Sequence, residues 1–222
     1  MRSVKSCGWL VPLLLLLLLF ASRIASGQIV PGRDFRVLDR PQPTASGKNV
    51  EVIEFFYYGC PHCSNLQGPL ETWLKRKPAD VEFKRQPVVF DDAWLPLTRA
   101  YYAIEAMKLT DTLHQQVFAA IHGQNLRLNN TKVLFDWIAT KGVERQKFAD
   151  TYNSFSVSAR ANGAKEITRK FDIPGTPAIV VDGRYLTAPS MTVKSNNEVD
   201  FVRYFQVLDH VVALARKGGG AK

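Results

Sequence analysis

Three kinds of hydrophobic patterning follow one another along the chain. Residues 50–58 form a nearly continuous run of β-branched and aromatic side chains, the pattern of a strand covered on both faces. Helical spacing follows from Pro61 to about Arg76, with Gly68-Pro69 placed to kink it, and residues 81–89 read as a second strand. Together these predict a strand, helix, strand unit. Residues 92–158 then turn helical, in segments at 94–109, 111–122, 132–141 and 144–155 separated by short polar or glycine breaks. A further helix is expected at 159–171, a strand at 178–182, a tight turn at Asp182-Gly183 and a returning strand at 184–187. Phe201, Phe205, Leu208, Val212 and Ala215 recur at steps of four and three and mark the buried face of a last helix. A short strand at 35–38 and a breaker-rich link at 41–47 precede the first unit, and residues 218–222 read as a frayed tail. The expected class is α/β, with parts at 28–91 and 159–217 around a helical insertion at 92–158.

The first 27 residues follow a different logic. Arg2 and Lys5 supply a positive start, residues 9–20 carry no charge, and Ala25-Ser26-Gly27 offers small side chains at which a signal peptidase cuts. The apolar run of 12 residues is short of the roughly 20 that cross a bilayer. A cleaved export signal is therefore expected over a retained anchor, leaving Gln28 first and discarding Cys7. Export places the two remaining cysteines in an oxidising space.

Loss of residues 1–27 removes Arg2, Lys5 and Arg23 and no acid, so the exported chain carries 26 basic and 20 acidic residues, a net +6. The basic residues are scattered, with no Lys/Arg stripe interleaved by aromatics, which argues against a nucleic-acid partner. About 195 residues of ordinary apolar content bury a full core without disulfide staples. Cys60 and Cys63 are therefore free for another task.

Cys60-Pro61-His62-Cys63 falls where the first strand gives way to a helix. Pro61 suits the first helical position, which puts Cys60 at the N-cap and Cys63 one turn inside. A c-type haem anchor needs His directly after the second cysteine, and residue 64 is Ser. A structural zinc site needs further ligands, and His114, His122 and His210 show no tight ligand spacing. A structural disulfide across two residues closes so small a loop that it constrains little of the unfolded chain. A redox-active pair remains, with no metal or cofactor. Free backbone N–H groups and the helix dipole stabilise a Cys60 thiolate, and a protonated His62 adds to that field. A stabilised thiolate is a good leaving group, so a client thiolate that attacks Cys60 forms a mixed disulfide which a second client thiolate resolves. Cys63, more buried, is the slower partner that closes the internal disulfide.

This constellation resembles the DsbA-type thiol:disulfide oxidoreductases of the bacterial periplasm over nearly all of residues 32–215. The resemblance rests on the order of elements, on Cys60-Pro61-His62-Cys63, on Glu54 six residues before Cys60, and on Gly175-Thr176-Pro177 ahead of the strand at 178. Pro-His is its specific part, since thioredoxins typically carry Gly-Pro there and protein disulfide isomerases Gly-His. It implies a thioredoxin fold with an inserted all-helical domain, and disulfide donation to exported proteins with free cysteines. It also implies a quinone-linked inner-membrane partner of the DsbB type that reoxidises the pair. The bond before Pro177 is implied to be cis, in a loop beside the cysteines where the backbone at Gly175 and Thr176 pairs with an extended client. Thr176 stands where some members have Val. A reductase or isomerase runs the same exchange in the other direction, and a chaperone-like peptide-binding module would leave the cysteines incidental. A monomer is expected, because little sequence precedes the first strand to supply the dimerising domain of an isomerase.

Glu54 is a carboxylate inside an apolar run, costly unless paired or functional. On the buried side of its strand it would have a raised pKa and could move protons to and from Cys63, with Lys84 or Arg85 as a partner; on the outward side it is an edge residue. Met107 and Trp137 read as helix core, Asn129-Asn130-Thr131 as a chance glycosylation match, and His114, His122 and His210 as surface or capping residues.

Overall fold

The computed structural model describes residues 27–218. The expected signal at 1–27, with Cys7, and the tail at 218–222 lie outside the described residues except for Gly27 and Gly218.

Five strands form one mixed sheet: β1 (Arg36–Val37), β2 (Val50–Phe56), β3 (Val81–Pro87), β4 (Ala178–Val181) and β5 (Tyr185–Thr187), in the order β1-β5-β4-β2-β3. Only β2 and β3 run parallel, joined by α1 (Pro61–Arg76) in the strand, helix, strand unit that the patterning predicts. Six helices follow: α2 (Leu95–Ala106), α3 (Thr110–Phe118), α4 (Thr131–Ala139), α5 (Arg145–Asn153) and α6 (Phe155–Lys170) between β3 and β4, then α7 (Phe201–Gly218).

One face of the sheet is covered by α1 and α7. Val50 and Val52 of β2 and Ile179 and Val181 of β4 pack there against Leu66, Leu70 and Trp73 of α1 and Tyr204, Leu208 and Val211 of α7. Phe55, Ala178, Val180 and Leu186 point the other way, toward Ile167 of α6 and Phe171. The period-two alternation of β2 therefore puts Glu54 on the α1 side with Val50 and Val52. Helices α2 to α6 close around Ile104, Leu113, Phe118, Leu134, Ile138 and Phe148, in a cluster continuous with Phe56, Tyr58 and Cys63. The helical core thus reaches α1 at Cys63.

Several boundaries differ from the patterning. α6 begins at Phe155, four residues before the expected start, because Ser154 acts as its N-cap, its hydroxyl accepting from Val157 N at 3.3 Å. Phe155, which the apolar pattern assigns to the preceding helix, is 89% exposed and packs in neither core. β3 ends at Pro87, two residues early, level with the end of its partner β2 at Phe56. α3 stops at Phe118 and widens into a π-helical turn at Ala119–Gly123, where a plain helix through His122 is expected.

Candidate active site

Cys60 is the N-cap of α1, with extended backbone (φ −89°, ψ 118°). Pro61 fills the first helical position. The Cys60 thiol is left half-buried at the positive end of the helix, while Cys63, one turn on, is fully buried. Both thiols are free. The Thr176-Pro177 peptide bond is cis, and the loop it shapes lies against the reactive end of α1. The Cys60 thiol donates to the Thr176 carbonyl oxygen at 3.4 Å.

The two cysteines differ sharply in acidity. Cys60 is lowered to about 5, chiefly by a hydrogen bond from the Cys63 thiol, with the Thr176 side chain and the backbone N–H groups of Cys63 and His62 adding to it against the opposing effect of burial. Cys63 goes the other way, driven far above an ordinary thiol by burial and then by the adjacent Cys60. His62 is exposed, and it acts on Cys60 through its backbone N–H.

Glu54 lies beneath this helix, with no solvent exposure. Arg85, its register partner on β3, donates from Nε to Oε2 at 3.2 Å, and the Gln67 amide donates to Oε1 at 2.9 Å. Gln67 Nε2 also donates to the Cys63 carbonyl at 3.1 Å, so one side chain spans Glu54 and the second cysteine. Burial raises the Glu54 pKa, with Arg85 and the hydrogen bonds from Gln67 and Arg85 pulling against it. Lys84, the other candidate partner, pairs instead with Glu51 at 2.6 Å and Glu82 at 3.0 Å.

A groove of about 660 Å³ opens beside the pair, lined by His62, Asn65, Thr176, Pro177, Val199 and Phe201. Gly175 lies on its wall as well. The structure therefore brings Cys60, Pro61, His62, Gly175, Thr176 and Pro177 into one surface, with Cys63 and Glu54 buried below it.

His114 departs from its expected surface or capping role. It is 2% exposed, and its Nδ1 is 2.9 Å from the Tyr58 hydroxyl. Burial, and then Arg85, push its pKa well below the ordinary imidazole value. The signal was present in the spacing: His114 stands between Leu113 and Val117 and four residues before Phe118, on the face that faces the core. His122, in the π-helical turn, hydrogen-bonds the Tyr58 carbonyl oxygen at 2.8 Å. Gln67 is a second residue that patterning did not single out, although it lies one turn beyond Cys63 on the same side of α1.

Comparison with known proteins places this geometry. Residues 51–205 match the family model of the DSBA-like thioredoxin domain. The thiol:disulfide interchange protein DsbA of Burkholderia cepacia is 41% identical over 162 residues, covering 72% of this chain and 76% of that one. Its namesake in Pseudomonas aeruginosa is 33% identical over 167 residues, covering 75% and 79%. The crystal structure of Pseudomonas aeruginosa DsbA superposes with a TM-score of 0.78 at 29% identity, over 86% of this chain and 97% of that one. DsbA from Xylella fastidiosa gives 0.75 at 30% identity, over 86% and 98%. With a thioredoxin-like sheet, an unequal cysteine pair at a helix N-terminus and these relatives, the chain belongs to the DSBA-like thioredoxin domain family and is a thiol:disulfide oxidoreductase.

Proposed function

We propose that Cys60 and Cys63 are the redox couple of this oxidoreductase and that it introduces disulfides into exported proteins. The observation that carries the proposal is the inequality of the pair: Cys60 half-exposed at a helix N-terminus against Thr176, Cys63 wholly buried one turn inside. In the oxidised protein a client thiolate attacks the accessible Cys60 sulfur. The Cys60–Cys63 bond breaks, a bond between the client sulfur and Cys60 forms, and Cys63 leaves as a thiolate that takes up a proton. A second client thiolate then attacks the client sulfur of this mixed disulfide and expels Cys60 as a thiolate. The client gains a disulfide and gives up two electrons, which the cysteine couple receives. Stabilisation of the Cys60 thiolate speeds that expulsion and favours the reduced couple, which makes the protein an oxidant.

Around this step, Pro61 opens the helix so that the N–H groups of His62 and Cys63 face Cys60. Glu54 supplies and recovers the Cys63 proton; its burial and its link to Cys63 through Gln67 support that role. The backbone at Gly175 and Thr176, turned by Pro177, pairs with an extended client chain, and the adjacent groove receives client side chains. The clients are exported proteins with free cysteines, met in the periplasm after the signal at residues 1–27 is removed. A quinone-linked membrane oxidase of the DsbB type takes the two electrons and restores the Cys60–Cys63 disulfide. The exchange itself calls for no cofactor or metal, and the protein acts as a monomer. Residues 28–91 and 159–217 form the thioredoxin domain and 92–158 the helical insertion, with α6 crossing the seam.

Two substitutions test this reading against a reduced, unfolded client. Cys60→Ser abolishes client oxidation, and Cys63→Ser, first activated at Cys60 as a mixed disulfide with 2-nitro-5-thiobenzoate, releases that thiolate when a single-cysteine client attacks and keeps the client on Cys60 as an adduct released by dithiothreitol. Client oxidation that survives Cys60→Ser would contradict the assignment, and a chaperone-like module would suppress aggregation equally well with or without Cys60.

A further inference from the structure

Gly59, the residue before Cys60, has no positive φ, so its backbone does not require glycine. A Cβ there would nevertheless collide with Cε1 of Tyr57 and fall 2.9 Å from its Cζ. What excludes a side chain at position 59 is the Tyr57 ring, which folds back over the residue bonded to Cys60. The ring is held in place by stacking on Trp94, with centroids 3.9 Å apart and 19° between planes, and Phe90 meets Trp94 edge-on at 5.3 Å. Tyr57 and Trp94 both remain partly exposed.

Tyr57 and Gly59 also line a pocket of about 290 Å³ with Leu97, Ile121, Leu126 and Leu128 as its apolar part and Asn125, Arg127 and Asn129 as its polar part. This pocket shares no residue with the groove at Thr176 and Pro177; it reaches Gly59, the residue before Cys60, whereas the groove reaches His62, two residues after it. We propose that Tyr57 and this pocket form a second client-contact surface, which selects an aromatic or large aliphatic residue flanking the client cysteine. The proposal rests on the reading that Cys60 is the sulfur the client attacks. A client tethered to Cys60 advances about 3.3 Å per extended residue. A residue one or two positions from its cysteine therefore comes up against a pocket whose wall includes the neighbour of Cys60. A pinned aromatic ring and apolar walls bury such a side chain with little loss of conformational freedom on the enzyme side.

The test compares two dithiol peptides that differ only in the residues flanking one cysteine, phenylalanine in one and serine in the other, with the oxidised protein. The readout is the ratio of their kcat/KM values. The expected result is a preference for the phenylalanine peptide that Tyr57→Ala lowers about tenfold, the loss typical of truncating a contact aromatic. Tyr57→Phe, which keeps the ring, keeps the ratio, and Leu126→Ser, which removes an apolar lining residue, lowers it. An unchanged ratio in Tyr57→Ala overturns the proposal, and if that variant does not fold, an unchanged ratio in Leu126→Ser does so. Failure of the Cys60 reading shows separately, as turnover that survives Cys60→Ser, whereas the ratio reports on Tyr57 and its pocket.

Discussion

Glu54 and Arg85 face each other in the parallel register of β2 and β3 and form an ion pair at 3.2 Å, with the carboxylate entirely buried and the guanidinium side chain 14% exposed. Arg85 also reaches Glu71 at 3.0 Å, nearer the surface, so one cation ties an internal acid to a partly exposed one. Removal of one partner from a buried pair leaves the other uncompensated. Arg85→Met is expected to destabilise the protein by about 3 kcal/mol, read from urea midpoints at constant m. The double variant Glu54→Gln/Arg85→Met recovers part of that loss. Equal losses in the single and double variants would show that the pair does not act as a unit.

The depressed Cys60 pKa predicts an unusual stability order between redox forms. The folded dithiol holds Cys60 ionised above about 5, whereas an unfolded thiol keeps its proton up to about 9. Between those values the unfolded chain binds more protons, so the stability of the reduced form rises with pH across the window and is lost as pH falls through 5. The oxidised form lacks this group, and the raised Cys63 pKa contributes nothing below 9. Thermal melts should therefore find the reduced protein gaining on the oxidised one from pH 5 to pH 8, and a constant gap would count against the thiolate.

His114 gives a slope of the same sign from a different cause. Its folded pKa lies well below 6.5, so below that pH the unfolded chain takes up a proton that the buried ring refuses. Stability falls as pH drops from about 6.5, by at most about 1.4 kcal/mol per unit. His114→Gln in the oxidised protein removes this slope. Glu54, whose raised pKa acts in the opposite sense, is present in both proteins and cancels from the comparison. Identical acid melting of the two would contradict a neutral, buried His114.

Gly59→Ala tests the packing around Tyr57. The added methyl requires the ring to leave Trp94, at an expected penalty of about 1–3 kcal/mol. Because the three atoms nearest the added methyl all belong to the Tyr57 side chain, the pair Gly59→Ala/Tyr57→Ala should lose less than the two separate changes add up to. Strict additivity in denaturant titrations would mean that something other than the ring excludes a side chain there.

Much of this was legible because local chemistry and long-range packing agree. The apolar run into Cys60-Pro61-His62-Cys63 carries both the strand and the helix start, and the stepwise apolar positions of α7 match the face that covers the sheet. The partner of Glu54 was not legible, because Lys84 and Arg85 are adjacent and only the register across β2 and β3, set by the packing of α1 between them, brings Arg85 opposite. The start of α6 was hidden by Phe155, an apolar residue that solvent surrounds, while the decisive signal was the Ser154 cap. His114 illustrates the opposite case, a polar residue on an apolar face made tolerable by the Tyr58 hydroxyl. The tight fit of Tyr57 over Gly59 is visible only in three dimensions, since glycine before a cysteine has many explanations in a sequence.

The central claim is that stabilisation of the Cys60 thiolate makes this protein a disulfide donor. The reduction potential tests it most directly, with residues 28–222 equilibrated in glutathione buffers and followed by tryptophan fluorescence. The account predicts a value near about −120 mV, that of the strongly oxidising DsbA itself. A value near about −270 mV, that of thioredoxin, would mean that the protein holds its own disulfide tightly and works as a reductase.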